Sequence, residues 1–260
     1  MVALGFISAG IWGLLTGLLV SLIIVLLYFT IKFLPQIKEE ALLLNKEGTK
    51  FLAKKYIDFP RANCWHALSD MFQSQGIIYF LAAFFTSNTV GLYAFSMRIL
   101  QAPMMLIVSS FSQVFYQRAS EMHNKNEDLL SLLKSTIMKM SFIAAPIMFI
   151  LMVFGPDLFA FIFSEKWRQA GVYARILAPW ICIDFIRYSI GQMPIVLGKI
   201  RQVLYWSICG NVIICLSLFV GGYFLADITH SFVLLSISMT IYLVLLILWI
   251  FKITQNAHKR

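Results

Sequence analysis

No charged side chain occurs in residues 1–31, whose sequence is MVALGFISAGIWGLLTGLLVSLIIVLLYFTI. A helix of about 20 mostly apolar residues is long enough to cross a bilayer, so this stretch predicts a membrane-spanning helix. Similar intervals recur along the chain, which is 60% hydrophobic and only 13% charged. A soluble domain carries about 25% charged residues, so this composition excludes a soluble enzyme core. We therefore predict an all-α, polytopic membrane helix bundle.

The long apolar intervals predict about seven transmembrane helices, because each is long enough to cross the hydrocarbon core. The predicted spans are residues 5–31, 63–85, 90–117, 132–155, 171–197, 203–225 and 229–251. Four prolines lie within these spans, where a proline removes a backbone hydrogen bond and can bend the helix. They are Pro103, Pro146, Pro179 and Pro194.

The positive charges predict the orientation of the chain in the membrane. The net charge is +9, and most of the Lys and Arg residues lie in alternate loops, which face one side. Only Lys166, Arg168 and Arg175 lie on the other side. Loops rich in Lys and Arg stay in the cytoplasm, so we expect the N-terminus outside and the C-terminus in the cytoplasm. The charge thus reflects topology, and we predict no nucleic-acid partner.

The same pattern divides the chain into four segments. Residues 1–31 form one transmembrane helix, and residues 62–251 form a six-helix bundle. Between them, residues 32–61 mix lysines with apolar side chains, which predicts a cytoplasmic amphipathic linker on the anionic leaflet. Residues 252–260 form a cytoplasmic tail.

Two consecutive spans each carry a polar stripe, which is costly in hydrocarbon and therefore indicates function. At about 100° per residue, the stripe covers an arc of about 100° on the second span and about 120° on the third. The arrangement favours a water-filled cavity, whereas the alternative is a dry interface in which the two stripes bond to each other. The residues are Asn63, His66, Asp70 and Gln73 in the second span, and Arg98, Gln101, Ser109 and Gln113 in the third.

Charged side chains inside the spans need a counter-charge. Asp184 and Arg187 lie three residues apart in the fifth span, so they are expected to form an ion pair. Arg98 has no acidic residue near it in its own span, and its counter-charge must come from another helix or from a substrate. The guanidinium presents a fork of donors that matches the oxygens of a phosphate.

Motifs of known enzyme classes are absent from the sequence. There is no glycine-rich phosphate loop, no nucleophile elbow and no histidine or cysteine spacing that suits a metal. We therefore predict no enzymatic activity, no metal and no cofactor.

A set of ordered motifs is similar to the second half of the Wzx-type polysaccharide flippases, which belong to the multidrug/oligosaccharidyl-lipid/polysaccharide superfamily. The similarity extends from about residue 4 to residue 249 and includes Arg98 and Pro103 in the third span. The motifs are KYIDFP at 55–60, GLY at 91–93, VFY at 114–116, FG at 154–155, EKWRQA at 165–170 and ILAP at 176–179.

This resemblance implies a bacterial inner-membrane protein with two six-helix lobes around a cationic cavity. Such proteins move undecaprenyl-diphosphate-linked oligosaccharides between leaflets. Residues 1–31 would then be the last helix of the first lobe, residues 32–61 the inter-lobe linker and residues 62–251 the second lobe. The implied partners are the lipid-linked oligosaccharide, membrane lipids, and a missing first lobe or a second copy of the chain.

The hypothesis from the sequence is that Arg98 binds the diphosphate while the stripe of the second span bonds sugar hydroxyls. One alternative is a cation-coupled multidrug exporter, with Asp70 and Asp184 as cation sites. Another is a structural half-transporter that does not itself transport. A membrane glycosyltransferase is disfavoured, because the sequence has no acidic metal motif.

Overall fold

The structure, a computed structural model, describes residues 10–42, 46–55, 57–225 and 227–258. Side chains are described throughout these ranges except at residues 10–15, 35–42, 46–47, 53, 55, 58–63, 66–67, 70, 72–74, 225 and 258. The described residues are helical apart from short turns, so the predicted all-α membrane bundle is confirmed. The chain forms two compact units, Met1–Pro60 and Arg61–Arg260.

Nine α-helices are described in the ranges above. Two belong to the first unit, α1 (Gly10–Leu42) and α2 (Lys46–Lys55). The next helix, α3, begins at the boundary between the units. The helices from this boundary onward are α3 (Asp58–Phe84), α4 (Ser87–Asn124), α5 (Leu129–Phe163), α6 (Arg168–Ile190), α7 (Met193–Val196), α8 (Ile200–Val220) and α9 (Ile228–His258). A turn of π-helix, Gly221–Leu225, extends α8.

The sequence predicts seven spans, and five segments of the described chain are long and apolar enough to cross a membrane. Helix α6 is 23 residues long but falls short in hydropathy, because Arg175, Asp184 and Arg187 interrupt its apolar sequence. In α3 the described apolar part is Gln75–Phe84. The five segments are Thr16–Leu34, Ser87–Asn124, Leu129–Phe163, Ile200–Phe224 and Ile228–Ala257.

Helix α6 occupies the centre of the second unit and packs against α4, α5 and α9. Ala170, Ala174 and Ala178 on this helix are completely buried. Small side chains allow the backbones of neighbouring membrane helices to approach closely. Such a close approach joins Gly171 of α6 to Gly155 of α5. The predicted span with the most charged residues is thus shielded by its neighbours.

The short connections bring alternate helix ends together. Helices α4, α6 and α9 end, and α5 and α8 begin, at the same end of the second unit, where Phe115, Leu129 and Ile250 belong to one apolar cluster. We call this the basic end, because its turns and last helical residues carry several cations. These are Arg118, Lys125, Lys199, Arg201 and Lys252.

Candidate functional site

A cavity of about 580 Å³ lies in the half of the second unit nearest the basic end. Parts of α4, α6, α7, α8 and α9 form its walls. Its volume is typical of small-molecule sites, which range from about 300 to 1,000 Å³. The polar side chains that line it are Ser109, Ser112, Arg187, Tyr188, Gln192 and Ser207.

One wall of the cavity is a break in a helix, where the sequence predicts a single span over residues 171–197. Helix α6 ends before the turn at Gly191 and Gln192, and the short α7 follows. Pro194 has no N–H to donate, so a continuous helix would lose a hydrogen bond there. The predicted span is therefore wrong at this end. Irregular backbone inside a membrane protein is tolerated where it lines a cavity, as Gly191, Gln192 and Pro194 do here.

Arg187 is held in place at the edge of the cavity. Its Nε and Nη2 atoms donate to Asp184 Oδ1 at 2.9 and 2.7 Å, which confirms the ion pair expected from the spacing. The guanidinium also stacks on the ring of Tyr188, with Cζ 3.7 Å from the ring centroid. The two charged side chains are only 22% and 25% exposed. Because a guanidinium has five N–H donors, Arg187 keeps donors for a ligand after pairing with Asp184.

Three aromatic side chains form another part of the lining. Trp206 of α8 lies with its ring centroid 5.9 Å from Tyr242 and 5.8 Å from Trp249, both on α9. The Tyr242 hydroxyl donates to the backbone carbonyl of Trp206 at 2.6 Å, which fixes the two helices at this level. Aromatic faces carry partial negative charge, so they attract the positively polarised C–H groups of a sugar ring.

A polar contact connects the cavity wall to α3. The Ser207 hydroxyl, which lines the cavity, donates to the Ser69 hydroxyl at 2.9 Å. Asn211, one turn further along α8, donates through Nδ2 to the Ser69 carbonyl at 3.0 Å. The Asn211 Oδ1 atom is buried and has no hydrogen-bond donor among the described residues. Polar groups therefore continue from the cavity towards α3.

The structure brings only some of the sequence-predicted site residues together. Ser109 and Arg187 line the cavity, and Asp184 holds Arg187 from beside it. The other three predicted residues of α4 lie outside the lining and are exposed on the second unit. They are Arg98, Gln101 and Gln113. The remaining predicted residues lie on α3, and their side chains are outside the described residues; they are Asn63, His66, Asp70 and Gln73.

Arg98 has no described counter-charge, as the lack of an acidic residue near it in its own span led us to expect. Its side chain is exposed on the second unit, and it forms no ion pair with any residue that the structure describes. It lies eleven residues before Ser109, which places the two within about 20° of each other on α4 and about 16 Å apart along the helix. The face that carries Arg98 therefore continues into the cavity.

Sequence reasoning missed the aromatic side of the cavity. Trp206 and Trp249 lie near the ends of apolar spans, where tryptophan usually anchors a helix at the membrane interface. The sequence alone therefore does not distinguish a cavity lining from an interfacial anchor at these positions. The sequence does contain one clue to a shared aromatic wall. Trp206, Tyr242 and Trp249 all lie in the halves of two consecutive spans that face the basic end.

Comparison with known families agrees with the membrane bundle. The model of a family described as polysaccharide biosynthesis protein matches residues 1–171, and the chain belongs to this family. The similarity to Wzx-type flippases is thereby confirmed at the level of the family. The matched part contains Arg98 and Ser109, whereas the lining residues from Arg187 onward lie beyond it. No curated protein and no solved structure matched the chain.

Membership in this family defines the class of the protein. The chain is a multi-pass membrane protein of a transporter family with a general flippase role in polysaccharide biosynthesis. A transporter needs a polar site that takes up and releases its cargo. The cavity offers donors, acceptors and aromatic faces for this purpose. Among the described residues, no group of His, Cys, Asp or Glu side chains is arranged to hold a metal ion.

Proposed function

We propose that this chain forms one lobe of a flippase that moves undecaprenyl-diphosphate-linked oligosaccharide repeat units across the bacterial inner membrane. The observation that carries the proposal is the cavity at the basic end, where Arg187 meets hydroxyl groups and an aromatic wall inside a membrane bundle. The positive-inside rule puts this end in the cytoplasm, with the N-terminus in the periplasm and the C-terminus in the cytoplasm. The cavity would then receive its cargo from the cytoplasmic leaflet.

Each part of the cargo has a matching part of the cavity. Cations at the basic end attract the negatively charged diphosphate from the leaflet. Arg187 donates to phosphate oxygens, while Ser109, Ser207 and Gln192 exchange hydrogen bonds with sugar hydroxyls in place of water. The sugar rings stack on the aromatic side chains, and the polyprenyl chain stays in the bilayer. Translocation needs only this substitution of protein groups for water, and no covalent chemistry.

Arg98 provides the second cation on the path. It lies further from the basic end than the cavity, on the face of α4 that also carries Ser109. We propose that the diphosphate passes from Arg187 to Arg98 as the headgroup crosses the membrane. The stripe on α3 would line the same path with Asn63, His66, Asp70 and Gln73, because Ser69, only 40° from Gln73 on a helix, contacts the cavity wall.

The exposed polar face of α4 also implies a partner. Arg98, Gln101 and Gln113 are costly in contact with lipid, so they require protein or water around them. We propose that a first lobe, or a second copy of this chain, covers this face and closes the path. A split or truncated flippase would have this requirement.

The geometry disfavours Asp184 as the cation site of a multidrug exporter. Such an exporter needs a carboxylate that is free to bind a cation or a proton. Asp184 accepts two hydrogen bonds from Arg187, so its charge is already compensated. The structural half-transporter remains a distinct alternative, and it predicts that cavity substitutions leave polysaccharide export unchanged.

The test is export of surface polysaccharide in a bacterial strain whose own flippase gene has been deleted. The full chain is expressed alone and together with a first-lobe polypeptide, and surface polymer is measured against membrane protein level. The double variant Asp184→Asn/Arg187→Gln removes the cation without leaving an unpaired carboxylate. Lys166→Gln is the matched control, because it removes one exposed cation that lies neither at the basic end nor in the cavity.

We expect the double variant to lose about tenfold or more of the export, since it removes charge-assisted bonds to the cargo, and the control to keep it. Arg98→Gln is expected to have the same effect as the double variant. Equal export by the double variant and the unmodified chain at matched protein levels would refute the role of the cavity. No export by the unmodified chain in either expression condition would refute the flippase itself.

A further inference from the structure

A second cavity, of about 310 Å³, lies on another side of α6, between α5 and α9. We call it the α5–α9 groove. Its rim is formed by apolar side chains that are exposed on the second unit, and its floor is formed by Ile176 and Pro179 of α6. Along α9 it extends from Val233 to Ile241, which corresponds to about 12 Å. The exposed rim residues are Met152, Val233, Ile237 and Ile241.

A cation without a described counter-charge lies in this apolar groove. Arg175 lines the groove and is exposed, and no ion pair joins it to any described residue. The Cβ atom of Arg175 packs beside Gly155, and a methyl group added at Gly155 would lie 3.3 Å from it. The close approach of α5 and α6 therefore fixes the first part of the Arg175 side chain. Arg175 belongs to the half of α6 furthest from the basic end.

One further polar group of the groove lacks a partner. The Thr240 hydroxyl lines the groove and is buried without a hydrogen-bond partner among the described residues. Buried polar groups are normally paired, so this hydroxyl points to a missing ligand.

We infer that the α5–α9 groove binds one anionic phospholipid of the membrane, with its phosphate on Arg175 and one acyl chain along Ile176, Ile237 and Ile241. The charge and the shape both support this occupant. A guanidinium next to apolar surface attracts a headgroup that is negatively charged and carries a hydrocarbon chain. The Thr240 hydroxyl can then donate to an ester oxygen of the same lipid.

This inference does not depend on the proposed function. The groove is separated from the cavity by α6, and the two share no lining residue. A helix of another protein is the main competing occupant, and it would cover the apolar rim without supplying an anion to Arg175. Free phosphate is a second competitor, and it would use Arg175 without the apolar floor.

The test uses the purified full chain in detergent, with phosphatidylglycerol as the probe. Native mass spectrometry counts bound lipid, and the shift of Tm on lipid addition measures the stabilisation. Phosphatidylcholine and inorganic phosphate are run in parallel. Arg175→Gln removes the cation, Ile237→Trp fills the groove, and Lys166→Gln is the matched control, because Lys166 is an exposed cation outside the groove.

We expect the wild-type chain and the Lys166→Gln variant to retain one phosphatidylglycerol, with a raised Tm. Arg175→Gln should weaken this binding about tenfold, and Ile237→Trp should abolish it, whereas Arg175→Lys should keep part of it. Equal binding by Arg175→Gln and Lys166→Gln would overturn the inference. So would an equal Tm shift from phosphatidylcholine or from inorganic phosphate, because the site would then not recognise an anionic lipid.

Discussion

Replacing Gly171 with alanine is expected to destabilise the bundle, because this glycine lies where α6 crosses α5. An added methyl group would lie 2.5 Å from the carbonyl oxygen of Gly155 and 2.7 Å from the Cα of Pro156. Carbon atoms pack best at about 3.5–4.0 Å, so the two helices would have to separate by roughly 1 Å. Both neighbours are backbone atoms, which cannot move aside as a flexible side chain would.

The size of the effect follows from two opposing contributions. Overpacking a well-packed interface costs about 1–3 kcal/mol, and a rigid backbone neighbour favours the upper part of this range. Replacing a helical glycine with alanine gains about 0.5–1 kcal/mol, because alanine loses less conformational entropy. The net loss of unfolding free energy is therefore expected to be about 1–2 kcal/mol.

The assay is reversible unfolding in mixed micelles, followed by circular dichroism as the fraction of denaturing detergent rises. Gly91→Ala is the matched control, because an added methyl group there meets nothing within 4 Å and should stabilise α4 slightly. The decisive quantity is the difference between the two variants. If Gly171→Ala proves as stable as Gly91→Ala, the close crossing of α5 and α6 is refuted.

Two further predictions concern hydrogen bonds in the second unit. Tyr242→Phe removes the 2.6 Å bond to the Trp206 carbonyl and should lower the free energy of unfolding by about 0.5–1.5 kcal/mol in the same assay; an unchanged value would contradict the bond. The pKa of Asp227 is lowered by the Thr229 N–H, which donates at 2.7 Å, and by His230 at 3.0 Å. The stabilisation from this carboxylate is therefore complete above the pKa of an unfolded aspartate and is lost as the pH falls through the lower folded value. Asp227→Asn should show a smaller fall of Tm on acidification than the wild type, and identical acid profiles would count against the contact.

The features that the sequence predicted correctly are local ones. Hydropathy located the apolar helices, because the cost of placing polar groups in hydrocarbon acts on each segment separately. The Asp184–Arg187 pair followed from a spacing of three residues, since such residues are neighbours on any helix. Helix limits were less accurate, and α4 continues to Asn124, beyond the predicted limit of 117, because a helix does not have to end at the membrane surface.

The features that the sequence did not predict depend on how distant segments pack. The break before α7 was flagged only as a proline inside a span, and three other prolines, Pro103, Pro146 and Pro179, lie within unbroken helices. A proline alone therefore did not identify the break. The break is recognisable only in the tertiary structure, because there the neighbouring helices leave a cavity that accommodates the irregular backbone.

The sequence by itself determined that this protein is an all-α membrane bundle, and its motifs indicated the polysaccharide flippase family that comparison confirmed. Hydrophobic length and charge are additive along the chain, so they can be read without knowing the fold. Only the tertiary structure decided that Arg187, rather than Arg98, borders the cavity, and that Trp206, Tyr242 and Trp249 complete its wall. Such a site depends on the rotation and crossing of separate helices, which packing between small and large side chains sets and no single segment encodes.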